Sequence, residues 1–264
     1  MQNAETLFRG QHFLPFGAAG DLLPRDAMDP SKRNFGLPLL SAGVLLAFVL
    51  TVLMVWPDVE SVSYGFPRVG YQPISGMSCP VFMNRSEDTR FSITFTNPTE
   101  RTLRPQVQVF ISEPSLARWR DLTTPVEVAP DAQETVHWDL NAGDVVLNNF
   151  IFAKVYTYAT YPQPNQEGSC GIFVMDIPWI RADVLFWLWL GLSLLLMAAG
   201  LWLHAARKDD GITSSANRMA PYALAVLSVV GLVAGAAGWW PVGIIVLIMI
   251  FLALPAVLFF AQSR

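Results

Sequence analysis

The 264-residue chain is 53% hydrophobic and only 14% charged, against roughly 25% charged residues in an ordinary soluble domain. Its formal net charge of −4 gives no support to nucleic-acid binding, which usually announces itself with a basic patch, so no nucleic-acid partner is expected. The shortage of charge is concentrated in four windows nearly free of ionisable side chains, which excludes a wholly soluble fold and indicates a multi-pass membrane protein.

Residues 1–35 form a separate arm. Pro15, Pro24 and Pro30 interrupt any long helix, while Phe8, Phe13, Leu14 and Phe16 are apolar. Free tails seldom leave such aromatics exposed, so the arm is expected to lie on a partner or on the membrane. The first apolar run, Gly36 to Trp56, holds twenty-one residues without an ionisable group. At about 1.5 Å per residue it covers the roughly 30 Å hydrocarbon core. It lies far from Met1 and no small-residue cleavage site follows Met54, Val55 and Trp56, so it reads as a retained signal anchor.

At Pro57 the apolar periodicity gives way to β-type alternation. In residues 89–97 Phe91, Ile93 and Phe95 alternate with Arg90, Ser92, Thr94 and Thr96, the pattern of a half-buried strand, and Asn97-Pro98 ends it in a turn. A second strand, QVQVFIS, places Val107, Val109 and Ile111 on one face. Ala117 to Leu122 reads as a single helical turn, PVEV at 125–128 as a short strand, and ETVHWDL at 134–140 as another. Long strands over Asn149–Tyr158 and Cys170–Asp176 complete the set. Closely spaced strands with turn signals between them predict an antiparallel sandwich. This pattern over about residues 60–178 resembles the immunoglobulin-like sandwiches of bacterial surface proteins. That resemblance implies a domain that binds partners or acts as a spacer.

Three more apolar runs follow: Val184 to Leu203, about Ala220 to Gly238, and Pro241 to Ala261, the last two forming a tight hairpin. The expected fold is thus a membrane α-helical protein with four transmembrane helices and an extracytoplasmic all-β immunoglobulin-like sandwich inserted between helices one and two. The expected divisions are 1–35, 36–56, 57–180, 181–204, 205–218, 219–239, 240–261 and 262–264. Short-loop charge sets orientation: Arg25, Lys32 and Arg33 precede the first span, and Arg207, Lys208 and Arg218 separate the second from the third. Both termini are then cytoplasmic, with 57–180 outside a bacterial inner membrane. Trp56, Trp179, Trp239 and Trp240 form an interfacial belt on the outer side.

Cys79 and Cys170 both fall in the outside segment and read as one disulfide, because neither a CxxC spacing nor nearby histidines mark a redox or metal pair. The loop 57–180 carries a net −6, read as a solvated acidic surface. Asn84-Arg85-Ser86 fits a glycosylation sequon by chance composition. In the third span Gly231 and Gly235 stand at GxxxG spacing, with Ala234 and Gly238 beside them. They read as a packing face, against the fourth helix or a partner subunit. Phe186, Trp187, Trp189 and Trp202 make the second span bulky, as lipid-facing and interfacial residues are.

The spans hold no interior carboxylate or basic group of the kind that ion-coupled transporters use. His12, His137 and His204 fall in three compartments and cannot converge on a metal. Glu87-Asp88 and Asp209-Asp210 read as solvated turns, and no GxSxG, GxxxxGK[ST] or GxGxxG run occurs. No catalytic residue, metal or cofactor is expected. The reading is a non-catalytic accessory or scaffold subunit, with other membrane protein subunits and the bilayer as partners. A surface receptor or adhesion-like module is the alternative, and a lipid transporter or membrane enzyme, built from groups such as Asp183 and His204, a more remote one.

Overall fold

The structure is a computed structural model describing residues 35–67, 70, 72–115, 117–159, 164–177, 179–206 and 215–262, the side chains of 215–218 and 257–262 excepted. Residues 1–34 of the expected N-terminal arm, the acids Asp209-Asp210 and the basic residues Arg25, Lys32, Arg33, Arg207 and Lys208 lie outside the described residues.

Among the described residues one helix, then nine strands, then three helices follow in chain order. They are α1 (Gly36–Ser63), β1 (Gln72–Pro73), β2 (Met77–Ser78), β3 (Phe82–Asn84), β4 (Thr89–Thr96), β5 (Gln106–Ser112), β6 (Trp119–Pro125), β7 (Gln133–Leu140), β8 (Phe150–Thr157), β9 (Gln166–Met175), α2 (Ala182–Ala205), α3 (Ser215–Ala236) and α4 (Trp240–Gln262). A 3-10 turn at Ala142–Asp144 precedes β8. Among the described residues three helices, α1, α2 and the Met219–Ala236 part of α3, are long and apolar enough to cross a membrane, which marks the chain as a membrane protein. The apolar stretch of α4 runs over Trp240–Ala256.

Helix α1 is the hub of the bundle. Leu40, Val44, Ala47, Leu50 and Met54 recur every three or four residues and are all buried, so one stripe of α1 is covered along its length. They pack with Met197 of α2, Leu224 and Leu232 of α3, and Val246 and Ile250 of α4. Lipid tails are as apolar as leucine, so close packing, rather than exclusion of water, holds such helices together. Glycines permit that approach between α1 and α2. A Cβ on Gly43 would stand 2.7 Å from the Met197 nitrogen, and one on Gly200 2.5 Å from the Leu40 nitrogen. At the same crossing Ser193 Oγ donates to the Gly43 carbonyl at 3.1 Å and Trp189 Nε1 to the Leu46 carbonyl at 3.1 Å.

The strands make two sheets, β1-β9-β8-β5-β6 with β3 also on β9, and β2-β4-β7. Phe91 and Ile93 of β4 and Trp138 and Leu140 of β7 share one core with Val109, Ile151, Ile172 and their neighbours on the larger sheet. The two sheets therefore pack face to face. The expected purely antiparallel arrangement needs correction: β1 and β3 both run parallel to β9. They can do so because β4 to β8 all intervene between them and β9, so no hairpin fixes the relative direction of the paired strands.

A second correction concerns residues 117–128. The expected helical turn and PVEV strand are instead β6, Trp119–Pro125, paired antiparallel with β5, while Val128 makes only an isolated bridge to Leu103. As an edge strand β6 is exposed at most positions, so it carries no apolar alternation and its conformation is set by the partner backbone. Strand β9 also begins at Gln166, before the expected Cys170. Cys79 and Cys170 are joined, S–S 2.04 Å, and tie the segment between β2 and β3 to the middle of β9.

The third correction is the end of α1. It does not stop at Trp56 but continues through Pro57 to Ser63. Its 28 residues span about 42 Å, longer than the hydrocarbon core, so the last turns enter the β-domain. Proline removes one donor and crowds the preceding turn. Here the far turn is held by Ser61 Oγ on the Asp58 carbonyl (2.7 Å) and by its contacts with β9.

The disulfide closes a segment with a sequence separation of 91. Its removal in a Cys79→Ser/Cys170→Ser variant is expected to cost up to about 4–5 kcal/mol, chiefly through the freedom restored to the unfolded chain. Thermal unfolding in detergent with and without reductant checks this; an unchanged midpoint would show that the bridge constrains nothing. Gly200→Ala is expected to lower the melting temperature by several degrees, whereas Gly191→Ala, whose added carbon meets nothing within 4 Å, leaves it unchanged.

Candidate functional site at the junction of bundle and β-domain

The most constrained contact in the molecule joins α1 to β9. A Cβ on Gly171 would lie 2.0 Å from the Pro57 carbonyl oxygen, closer than atoms can approach, so only glycine fits there. One residue on, Asp58 Oδ1 accepts the Gly171 N–H at 2.9 Å, a hydrogen bond buried from solvent. This backbone amide lies beside Cys170, so helix end, strand and disulfide meet at one point.

The neighbouring helix is pinned to the same domain. Asn84 Nδ2 donates to the Ile177 and Ile180 carbonyls, the second at 3.1 Å, and Glu87 Oε2 accepts the Ala182 N–H at 3.3 Å where α2 begins. Phe82 stands between Phe173 of β9 and Phe186 of α2, with ring centroids 6.3 and 6.0 Å away. Asn84, only 3% exposed and committed as a donor, is unsuited to carry a glycan. Beyond the end of α1 Tyr64 Oη donates to the Arg118 carbonyl at 2.9 Å, and its ring lies 5.0 Å from Phe152. Burial pushes the Tyr64 hydroxyl above its ordinary value, partly countered by that hydrogen bond.

A cavity of about 730 Å³ opens beside this seat. Asp58 and Met54 of α1 form one wall, the disulfide and β9 another, and the α3–α4 turn with Trp239 and Trp240 the third. Lys154 and Glu167 also line it, paired at 2.8 Å, and Glu167 Oε2 further accepts the Gly70 N–H. A separate groove of about 410 Å³ runs between α1 and α4. Phe48, Val52 and Val59 face Ile244, Ile248 and Phe251 across it, and its lining is apolar.

The residues singled out in sequence fall into place as follows. Trp56 (53% exposed), Trp179, Trp239 and Trp240 all lie at the end of the bundle that carries the β-domain. Gly231 packs against Thr51 of α1 and Val246 of α4, and Gly235 against Met54 of α1. Ala234 is buried, whereas Gly238 belongs to the α3–α4 turn, where its φ of +68° favours glycine. Trp187 and Trp202 are exposed, and His204 lies 6.5 Å from the Tyr222 ring. Among the described residues no group of three or more His, Cys, Asp or Glu side chains could hold a metal.

Asp58 and Gly171, 113 residues apart, escape sequence reasoning altogether. The one available signal is an acid two residues past a span, followed by a helix-compatible Val-Glu-Ser-Val.

No family model matches the chain, and no curated protein matches it. Among solved structures it is similar over 40% of its length to red sea bream transglutaminase, with 15% identity and a TM-score of 0.28, covering 15% of that chain. Over 39% of its length it is similar to the Pseudomonas fluorescens alkylpurine DNA glycosylase AlkC, with 13% identity and a TM-score of 0.29, covering 30% of that chain. The Listeria innocua β-glucosidase gives 13% identity over 39%, covering 16% of that chain, with a TM-score of 0.25. The chain thus spans less than a third of each, and likenesses this slight carry no argument about what it does.

Gly171→Ala is expected to unseat α1 from β9 and to destabilise the protein by about 3 kcal/mol or more. Asp58→Ala, which strands a buried N–H, is expected to cost about 1–3 kcal/mol. Chemical unfolding in mild detergent measures both, and wild-type stability in Gly171→Ala would contradict the close approach.

Proposed function

We propose that the chain is a non-catalytic accessory subunit of a larger membrane complex, presenting an immunoglobulin-like β-sandwich outside the membrane from a four-span anchor. The observation that carries this reading is the double attachment of the β-domain. Asp58 joins β9 to the end of α1, and Asn84 with Glu87 joins the β3–β4 segment to the start of α2. A domain fastened at two points keeps a fixed orientation to the bilayer. That suits a part that positions other subunits better than a tethered receptor, which one flexible span would serve.

The uneven use of the helices supports the same reading. Only 17% of the apolar window of α2 is buried, against 44% for α1. Its free side carries Trp187, Leu188, Leu192, Leu195 and Trp202, an apolar face wide enough for another subunit's helix. The immunoglobulin-like reading draws support from strand order, since the chain passes from β4 in the small sheet to the β5–β6 hairpin in the large one and back to β7. We take α4 as the fourth span, with both termini cytoplasmic and the β-domain on the outer side of a bacterial inner membrane.

Purification from native membranes in mild detergent, followed by mass spectrometry of the comigrating proteins, tests the function. A fixed set of membrane subunits at constant ratio is the expected outcome. A chain that migrates alone would refute it and favour a free-standing receptor. Orientation is checked by a reporter that functions only in the cytoplasm, fused after Arg264 and expected to be active there.

A further inference from the structure

The cavity and the apolar groove are lined from neighbouring turns of α1 and α4. On α1, Met54 and Asp58 face the cavity while Val55 and Val59, one position on, face the groove; on α4, Trp240 lines the cavity and Ile244, one turn along, the groove. We propose that together they bind one phospholipid with a primary-amine headgroup, its ammonium at Asp58 and one acyl chain along the groove. This site is independent of the accessory role and adds a ligand to it.

Charge selects the headgroup. Asp58 is only 9% exposed, and a carboxylate at that burial is costly unless a cation faces it. Its Oδ1 is taken by the Gly171 N–H, while Oδ2 points across the cavity toward the α3–α4 turn, 4.0 Å from where a Cβ of Gly238 would lie. Among the described residues no lysine or arginine forms a salt bridge with it, and Lys154, on the cavity's other wall, is held by Glu167. No described side chain supplies a cation to Oδ2, and we assign that place to the ammonium of the lipid. A primary ammonium offers three N–H donors to such an oxygen, a quaternary ammonium offers none, and an anionic headgroup is repelled.

Depth and shape select a lipid over a free amine. Trp56, Trp239 and Trp240 stand around the site, and indoles settle at the headgroup level of a bilayer, where they also attract ammonium groups. Apart from the Trp56 indole the groove is lined by aliphatic side chains and two phenylalanines, which suits a hydrocarbon chain.

The test incorporates the full-length protein into nanodiscs of equimolar phosphatidylethanolamine, phosphatidylcholine and phosphatidylglycerol, then identifies the lipid retained on gentle detergent extraction by native mass spectrometry. Wild type is expected to retain phosphatidylethanolamine in roughly tenfold excess over phosphatidylglycerol, the worth of one charge-assisted contact. Asp58→Asn keeps an oxygen for the Gly171 N–H and is expected to lose that preference. Ile248→Trp, at an exposed position on the groove, is expected to lower total retention and leave the preference intact. Equal retention of the three lipids by wild type, or an unchanged preference in a folded Asp58→Asn, would overturn the proposal. Should Asp58→Asn fail to fold, the wild-type ratio and Ile248→Trp decide it. Displacement of the lipid by millimolar soluble phosphoethanolamine would show a free-amine site instead, and equally overturn the lipid assignment.

Discussion

Everything at the membrane end of the β-domain depends on the absence of a side chain at Gly171. Because β9 presents bare backbone there, the Pro57 turn can press against it and Asp58 can reach its N–H. The contact converts a helix that would end at the bilayer surface into a 28-residue post embedded in the larger sheet. Proline in that post forgoes one backbone hydrogen bond. The loss is offset by packing and by the Asp58 bond, both of which exist only in the folded domain. Local preference and tertiary contact thus oppose each other at Pro57, and the tertiary contact prevails.

The disulfide extends the same seat. Cys170 precedes Gly171, so the bridge to Cys79 holds the very segment of β9 on which α1 rests, and it draws in the chain between β2 and β3. From there β3 runs beside β9, and Phe82 reaches down to Phe186 at the start of α2. A path of covalent, hydrogen-bonded and aromatic contacts therefore links the two helices through one strand. Within the bundle α1 serves a similar purpose by a different means, since Gly43 and Gly200 bring α1 and α2 together and Gly231 and Gly235 let α3 meet Thr51 and Met54. Small residues act as sockets in both places, for a helix backbone on a strand at Gly171, for a helix backbone on a helix at Gly43 and Gly200, and for side chains at Gly231 and Gly235.

What sequence can reveal follows from the range of the physics. The apolar runs are legible because each is a continuous local signal, β4 and β7 because Phe91 and Trp138 alternate with outward residues on half-buried strands, and β5 because Val107, Val109 and Ile111 alternate in sequence although the strand is buried on both faces. Strand β6 is not, because an exposed edge needs no alternation; its Arg-Asp-Leu-Thr-Thr segment is extended only through its bonds to β5. The parallel placement of β1 and β3 and the extension of α1 are hidden for a related reason. Both are fixed by contacts with β9 far along the chain, and the acid and proline at 57–58 look locally like the end of a helix. Gly231 and Gly235 are visible as a spaced pair, yet Gly43 and Gly200 are not, since each is a single glycine whose meaning lies in the helix opposite.

The bundle and the domain also differ in how they tolerate polar groups, and this explains why the junction is where chemistry collects. Inside the bundle, Thr51 donates to the Ala47 carbonyl and Ser228 to that of Leu224 on their own helices, and Ser193 to the Gly43 carbonyl of the helix opposite, so none of the three is left to face a ligand. Inside the sandwich the buried acid Asp144 is matched by Arg120 at 3.0 Å and by the Asn141 N–H, although burial still raises its carboxyl above the ordinary range. Asp58 has only half of such a shell. Its position is dictated by the seat on Gly171, which uses one oxygen and turns the other toward open space between helix, strand and turn. A fold that drives a helix end into a sheet leaves a half-partnered carboxylate at the junction, and the cavity beside it is the geometric remainder of that junction.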